Sequence, residues 1–359
     1  SEQVDKHRAA LDEFCASVTV VPPPQRKLAH RLRDLALTRM ADMQQRYDSP
    51  LFAAQLEQRL ARQPFDLIQI ESLEMAAYLP LIKRAHPATP VIYDSFNAEY
   101  DLQHTIYEAE RSNRRPLGAL YSFVQWRRLR RYEARICRDA DRVLAVSDAD
   151  AQALRELVPG LRVGVIPNGI DTAAYRPDAP DVDAADDCRL VFTGTMDFRP
   201  NVDAVIWFAR EVLPLVQAEV PRVRFDVVGQ RPHQRLKPLG RNPSIHLTGW
   251  VEDVKPYFAR ATVYVAPLRM GGGTRLKLLE AMSMEKPIVA TSLGAEGYPV
   301  EHGRELLLAD SPSDFAAAVI GLLQSQARRR ELGRVARWFV EVHYDWRVIV
   351  PQLEAVYGT

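Results

Sequence analysis

Short β-branched runs alternate with longer helical patterns along this chain, so it is expected to pair parallel strands and to cover its sheets with helices on both faces. In the first half the strand candidates are residues 18–21, 65–70, 91–93, 142–146 and 162–166. A second series follows at 190–192, 224–228, 245–247, 263–265, 287–290 and 306–308. Helical spacing runs over 202–213 and 274–284, and from Pro312 onward the chain reads as helix. The two series are separated by a stretch from Arg176 to Asp187 that is rich in Pro and Asp and has no apolar periodicity, as a linker has. The expected organisation is therefore a first α/β domain over 1–175, a linker over 176–188, a second α/β domain over 189–340, and a closing helix over 341–359 that could cross back to the first domain. Open α/β sheets bind ligands beyond the carboxyl ends of their strands, and two such domains side by side would line a cleft with those ends. Function is accordingly to be sought in strand-to-helix turns.

Composition removes several classes of partner. Lys plus Arg number 47 against 46 Asp plus Glu, which gives no electrostatic footprint for nucleic acid. Cys15, Cys137 and Cys188 lie far apart, with no CxxC and no histidine at ligand spacing, so reduced thiols in the cytosol are expected and no metal site is. No apolar run approaches the roughly 18 to 20 residues of a membrane span. A cytoplasmic protein, free or resting on the inner membrane surface, is the expectation.

The turn with the densest chemical signal follows the strand candidate at 263–265. It reads Gly271-Gly272-Gly273-Thr274-Arg275-Leu276-Lys277, and Glu280 lies farther along the helix that begins there. Consecutive glycines let the backbone approach a ligand closely, and a helix N-terminus carries roughly half a positive charge with free N–H groups. Arg275 and Lys277 in a first turn are unfavourable with that dipole, and a bound diphosphate would account for them. The bland alternative is a flexible glycine loop with two solvated cations and a surface glutamate.

This segment resembles the donor-binding signature of the retaining, GT-B-fold glycosyltransferases, a family that also contains sucrose synthase and many bacterial exopolysaccharide and lipopolysaccharide enzymes. The resemblance rests on Glu280-Ala281-Met282, on Lys286-Pro287-Ile288-Val289-Ala290-Thr291 and on Gly294-Ala295-Glu296-Gly297. It extends to Arg138-Asp139-Ala140-Asp141-Arg142-Val143-Leu144-Ala145-Val146-Ser147, Pro167-Asn168-Gly169-Ile170-Asp171, Phe192-Thr193-Gly194, Leu247-Thr248-Gly249-Trp250-Val251 and Tyr344-Asp345-Trp346, in the family's order, and covers essentially the whole chain. It implies two Rossmann-like domains facing a cleft, a nucleotide-sugar donor in the second domain, and transfer with retention to a glycan or lipid-linked acceptor. By the same resemblance Glu280 holds the ribose, Arg275, Lys277 and the amides of Gly271, Gly272 and Gly273 hold the diphosphate, and the amides from Gly271 to Thr274 could serve the donor sugar. Gly194, Thr195 and Arg199 line the donor, and the backbone at Trp250 and Val251 meets the base. Asp94, Asn97 and Glu99 are the acceptor-side candidates. No cofactor or metal is expected, since protein cations and a helix end supply the counter-charge.

Several positions depart from the family pattern. The first of its paired glutamates falls on Gly272, Phe96 stands where relatives often carry His, and Glu285 stands where they usually carry Gly. Thr195 and Arg199 occupy the region of a common basic pair. The first strand, loop, helix and second strand of the family have no counterpart before Ser1, so a longer form extending upstream is expected. These departures leave open a second reading, a nucleotide-sugar-binding partner that has lost catalysis. A nicotinamide dehydrogenase would need GxGxxG after a first strand, and Phe192-Thr193-Gly194-Thr195-Met196-Asp197 does not supply it.

Between Arg111 and Arg138 lie nine arginines and one acid, Glu133, interspersed with Leu120, Phe123, Val124, Trp126, Leu129, Tyr132 and Ile136. As one amphipathic helix this stretch would suit an anionic membrane surface; as a packed helix it would simply show a solvated arginine face.

Overall fold

The computed structural model describes residues 8, 10–112, 114–177 and 188–358. The central part of the expected linker, 178–187, and most of the opening residues lie outside the described residues. The chain divides into two compact units, residues 1–143 with 157–162 and residues 144–156 with 163–359.

A four-stranded sheet is ordered β1-β2-β3-β4, with β1 Ile68–Glu71, β2 Val91–Ser95, β3 Arg142–Ala145 and β4 Val163–Val165. Strands β1 and β2 are parallel, with Ile68 opposite Val91 and Glu71 opposite Asp94. The helices of the first half are α1 Leu28–Leu37, α2 Pro50–Arg62, α3 Leu79–Ala85, α4 Glu99–Ser112, α5 Pro116–Asp139 and α6 Asp148–Leu157. Residues 18–21, expected as a strand, are irregular, with Thr19 and Val20 exposed and Val18 and Val21 half-buried. Pro22, Pro23 and Pro24 follow them, and three residues without an amide hydrogen cannot extend a ladder. The arginine-rich stretch is likewise not one helix, because α4 ends at Ser112 and α5 begins at Pro116. Proline at N1 suits a helix start and pushes the residue before it out of the helical region, and Arg115 sits at φ −104°, ψ 79°.

The second sheet has six strands in the order β10-β9-β8-β5-β6-β7. They are β5 Arg189–Thr193, β6 Arg224–Val228, β7 Ile245–Gly249, β8 Val263–Ala266, β9 Ile288–Ala290 and β10 Leu307–Leu308, and all five neighbouring pairs are parallel. The alternation of side chains along a strand explains its two-faced core. Leu190 and Phe192 enter one apolar cluster, while Val191 between them enters the other. Each such residue is nearly or fully removed from water, a gain of about 1.5–3 kcal/mol per side chain. Covering helices are α7 Arg199–Trp207, α8 Leu213–Glu219, α9 Lys255–Arg260, α10 Leu276–Ser283, α11 Pro312–Gln324, α12 Gln326–His343 and α13 Trp346–Gly358. The expected helix over 202–213 is thus α7, one π-turn at Phe208–Val212, and the start of α8, where Pro214 removes a donor.

Candidate functional site

The order of the six-stranded sheet changes direction beside β5 and β8, and the turns after those two strands converge. After β8 the chain runs through the triple glycine into α10. Gly271 has φ +98° and Gly273 φ +81°, conformations that side-chain-bearing residues adopt at a cost, so this turn needs glycine there. After β5 the backbone of Gly194 meets the turn after β6: a Cβ at Gly229 would lie 1.7 Å from the Gly194 carbonyl oxygen. Two main-chain turns therefore pack without any intervening side chain.

Arg275 is the N-cap of α10 rather than a first-turn residue, with non-helical φ −103°, ψ 86° and no side-chain cap bond. Its Nη1 donates to the Gly272 carbonyl at 2.8 Å, which braces the turn. Its Nε and Nη2 are buried without a hydrogen-bond partner among the described residues, and burial pulls its pKa downward. A buried guanidinium with two unused donors is costly unless a ligand takes them.

Lys277 lies one residue into the helix. Its Nζ donates to Asn201 Oδ1 at 2.9 Å and stands 4.4 Å from the centre of the Phe192 ring. Burial, with Arg275 close by, lowers its pKa to about 7. An anion would reverse both penalties, because it favours the charged form of each cation. Asn201 also donates through Nδ2 to the Thr195 carbonyl at 3.0 Å, tying α7 to the turn after β5. Thr274 accepts from Asn168 Nδ2 at 3.2 Å.

Glu280 lies on α10 beyond Lys277, where burial raises its pKa and the Tyr175 hydroxyl, donating to Oε1 at 3.1 Å, together with Lys277, opposes that rise. At the far end of α10, Glu285 takes φ +53° and closes a Schellman cap: its N–H reaches the Met282 carbonyl at 3.0 Å and the Lys286 N–H reaches that of Ala281 at 3.0 Å. The sequence departure at Glu285 is therefore a residue held in the conformation glycine prefers.

The structure brings Gly194, Thr195, Gly271, Gly272, Thr274, Arg275 and Lys277 into one neighbourhood through these contacts. Arg199 opens α7 directly after that neighbourhood. Trp250, just past β7, is 67% exposed, and Val251 packs against the second apolar cluster. Asn201, Phe192 and Tyr175 escaped the sequence reading as site residues, because their partners lie 76 to 105 positions away or on another strand.

The acceptor-side candidates lie after β2. Asp94 accepts from Gln69 Nε2 at 3.0 Å, and burial, aided by Glu71 opposite it, raises its pKa to about 6. Asn97 Nδ2 donates to Glu99 Oε1 at 3.4 Å, and Phe96 is 45% exposed. The N-terminus of α4 is filled from within, since the fully buried carboxylate of Glu133 on α5 accepts from the Glu99 and Tyr100 N–H groups at 3.1 and 2.8 Å.

Among the described residues no group of three or more His, Cys, Asp or Glu side chains is arranged to hold a metal ion, and no helix is long and apolar enough to cross a membrane.

Comparison with known proteins gives two family matches. Residues 187–325 match the model described as "Glycosyl transferases group 1", and residues 8–174 match "Glycosyltransferase Family 4". The chain is 25% identical over 166 residues to an "Uncharacterized 44.6 kDa protein in cps region" of Klebsiella pneumoniae, covering 44% of this chain and 43% of that one. It is 33% identical over 225 residues to a phosphatidyl-myo-inositol mannosyltransferase of Mycolicibacterium smegmatis, covering 60% of this chain and 56% of that one. These matches span about half the length of the curated relatives. Among solved structures, Anabaena HepE in complex with UDP and glucose superposes with a TM-score of 0.65 at 18% identity, over 86% of this chain and 81% of that one. A sucrose-phosphate synthase from Thermosynechococcus elongatus gives 0.67 at 19% identity, over 86% and 77%. The fold, two parallel α/β sheets flanked by helices, is that of the GT-B glycosyltransferases.

Proposed function

We propose that this chain, built from two domains of the glycosyltransferase families just described, transfers a sugar from a nucleoside-diphosphate donor to a glycan or lipid-linked acceptor, with retention of anomeric configuration. The observation that carries the reading is the buried Arg275, whose Nε and Nη2 lack partners among the described residues, set beside Lys277 in a glycine turn at a helix N-terminus. Charge develops on the leaving diphosphate as the glycosidic bond breaks, and preorganised cations and amides at that point lower the barrier. In this reading Glu280 holds the ribose hydroxyls, the backbone near Trp250 and Val251 meets the base, Gly194, Thr195 and Arg199 line the donor, and the departing phosphate helps to deprotonate the acceptor hydroxyl. Asp94, Asn97 and Glu99 face the acceptor. The protein's own cations serve as counter-charge, so activity is expected to survive chelation of divalent metals.

Cell-surface polysaccharide or glycolipid synthesis on the cytoplasmic side is the setting we favour. The Mycolicibacterium relative is named as a phosphatidyl-myo-inositol mannosyltransferase, and the Klebsiella relative is named for a cps region. Docking on anionic lipid would run through α5, which exposes Leu117, Leu120 and Phe123 at one end and Arg127, Arg130 and Arg131 farther along. Flotation with vesicles containing anionic lipid, against neutral vesicles, tests this; equal recovery removes it.

The decisive experiment for the function is titration with UDP and GDP, followed by incubation with the matching nucleotide sugars and product analysis by mass spectrometry. Binding with turnover supports a transferase. Gly272 in place of a glutamate favours the second reading, a binding partner without catalysis, and binding with neither hydrolysis nor transfer would select it. Failure to bind either nucleotide removes both.

A further inference from the structure

Glu280 cannot hold ribose hydroxyls in a defined direction unless something fixes its carboxylate, and the structure supplies that group from outside the glycine turn. The segment Asp171–Tyr175 folds as a tight turn. Asp171 Oδ1 accepts from the Ala173 and Ala174 N–H groups, both at 2.9 Å, and the Tyr175 N–H reaches the Asp171 carbonyl at 3.0 Å. Arg337 on α12 then clamps this turn to α10. Its Nη1 donates to the carbonyls of Tyr175, at 3.2 Å, and Ser283, and its Nη2 donates to the Thr172 carbonyl at 3.3 Å. Ser283 is the last residue of α10, so one guanidinium fixes both the donor helix and the turn that carries Tyr175.

The ring of Tyr175 packs against the second apolar cluster, which a phenylalanine would do as well. Its hydroxyl does what phenylalanine cannot, because it occupies Oε1 of Glu280 at 3.1 Å. Burial and the neighbouring carboxylate both push the Tyr175 pKa upward, so the hydroxyl stays a donor throughout the physiological range. A carboxylate with one oxygen anchored presents the other in a fixed direction, and loses less freedom when a ligand's hydroxyls arrive.

We propose that Tyr175, held in place by Arg337, is a positioning residue that orients the Glu280 carboxylate for the ribose of the bound nucleotide. This rests on the functional reading above, in which Glu280 meets the ribose. A hydrogen bond to a carboxylate favours its charged form, so removing the hydroxyl raises the pKa of Glu280. Ribose binding by an acceptor carboxylate is then lost at a higher pH as the solution is acidified.

The test is calorimetric titration of the full chain with UDP and with GDP across pH 4.5 to 8, for the unaltered protein, Tyr175→Phe, Glu280→Gln and the double variant. For Tyr175→Phe the expected result is about 3- to 10-fold weaker binding at pH 7.5 and an acid limb moved to higher pH. In the Glu280→Gln background the second substitution should change affinity by less than about 2-fold, since the group it acts through is gone. A purely structural role for Tyr175 would weaken binding equally at every pH and in both backgrounds; that outcome, or an unmoved acid limb, overturns the proposal alone. Absence of UDP and GDP binding by the unaltered protein overturns the functional reading and takes this inference with it.

Discussion

Two helix N-termini at the carboxyl ends of parallel strands have opposite electrostatic solutions in this protein. At α4 the first amides are taken by the buried carboxylate of Glu133, so the protein supplies its own anion. At α10 the N-cap is a cation, Arg275, with a second cation, Lys277, two residues on, and no side chain caps the helix. The same local feature, a strand-to-helix turn, is closed by the protein's own carboxylate in one unit and flanked by two cations in the other. A helix start is therefore informative about ligands only together with the charge set around it.

The sharpest way to break this contrast is to remove the cations. Lys277→Ala and Arg275→Ala are each expected to weaken UDP or GDP binding, or to lower turnover, by about 10²- to 10³-fold while the melting temperature holds or rises, because each also removes a penalised buried charge. A marked fall in melting temperature with unchanged nucleotide affinity would show that α10 is built like α4 after all.

The reciprocal substitution is Glu133→Ala. It leaves the Glu99 and Tyr100 amides without their acceptor at a fully buried position, and a loss of about 2–4 kcal/mol in denaturant stability is expected. UDP and GDP affinity should stay within about 2-fold. Chemical denaturation and titration on the same sample check both halves of the statement.

A pH series sharpens the comparison further. Lys277 has its pKa lowered to about 7, and a diphosphate favours its protonated form, so the contribution of this cation to affinity is complete below pH 7 and declines as pH rises above it, by at most about tenfold per unit. Binding above pH 7 should take up a proton, which calorimetry in buffers of different ionisation enthalpy measures directly. Asp94 carries the opposite pKa shift. Its pKa is raised to about 6 from an unfolded value near 4, so the burial penalty is absent below about pH 4 and complete above pH 6. Asp94→Asn should accordingly raise the melting temperature at pH 8 and not at pH 4.

The smallest expected effect lies at the other end of α10. Glu285→Gly relieves φ +53° and gives up a long 4.0 Å ion pair with Arg337, for a net gain of up to about 1 kcal/mol with nucleotide affinity unchanged. A loss of affinity would mean that the Schellman cap, too, tunes the anion end of the helix.

Strands β5, β6 and β8 were legible in the sequence because short β-branched runs buried on both faces have few alternatives. The glycine turn, Arg275, Lys277 and Glu280 were legible for a similar reason, since residues that are wrong for an ordinary helix start stand out locally. What misled was also local. Residues 18–21 have strand composition, yet the prolines after them forbid a ladder, and the arginine periodicity between Arg111 and Arg138 conceals the break at Pro116. Glu133 reads as the single acid of a basic face, and nothing nearby in sequence shows that it points inward to the amides of another helix. Tyr175 with Glu280, and Asn201 with Lys277, meet across 105 and 76 positions, distances at which the contact belongs to the tertiary fold rather than to any pattern of residues.

The unused donors of Arg275 bear on how long the protein lasts as well as on what it binds. A molecule that keeps two such donors away from water is at its least durable when empty, and a bound ligand adds stability in proportion to the logarithm of free ligand over its dissociation constant. Under the proposed function, the share of molecules open to proteolysis would then follow the supply of that ligand.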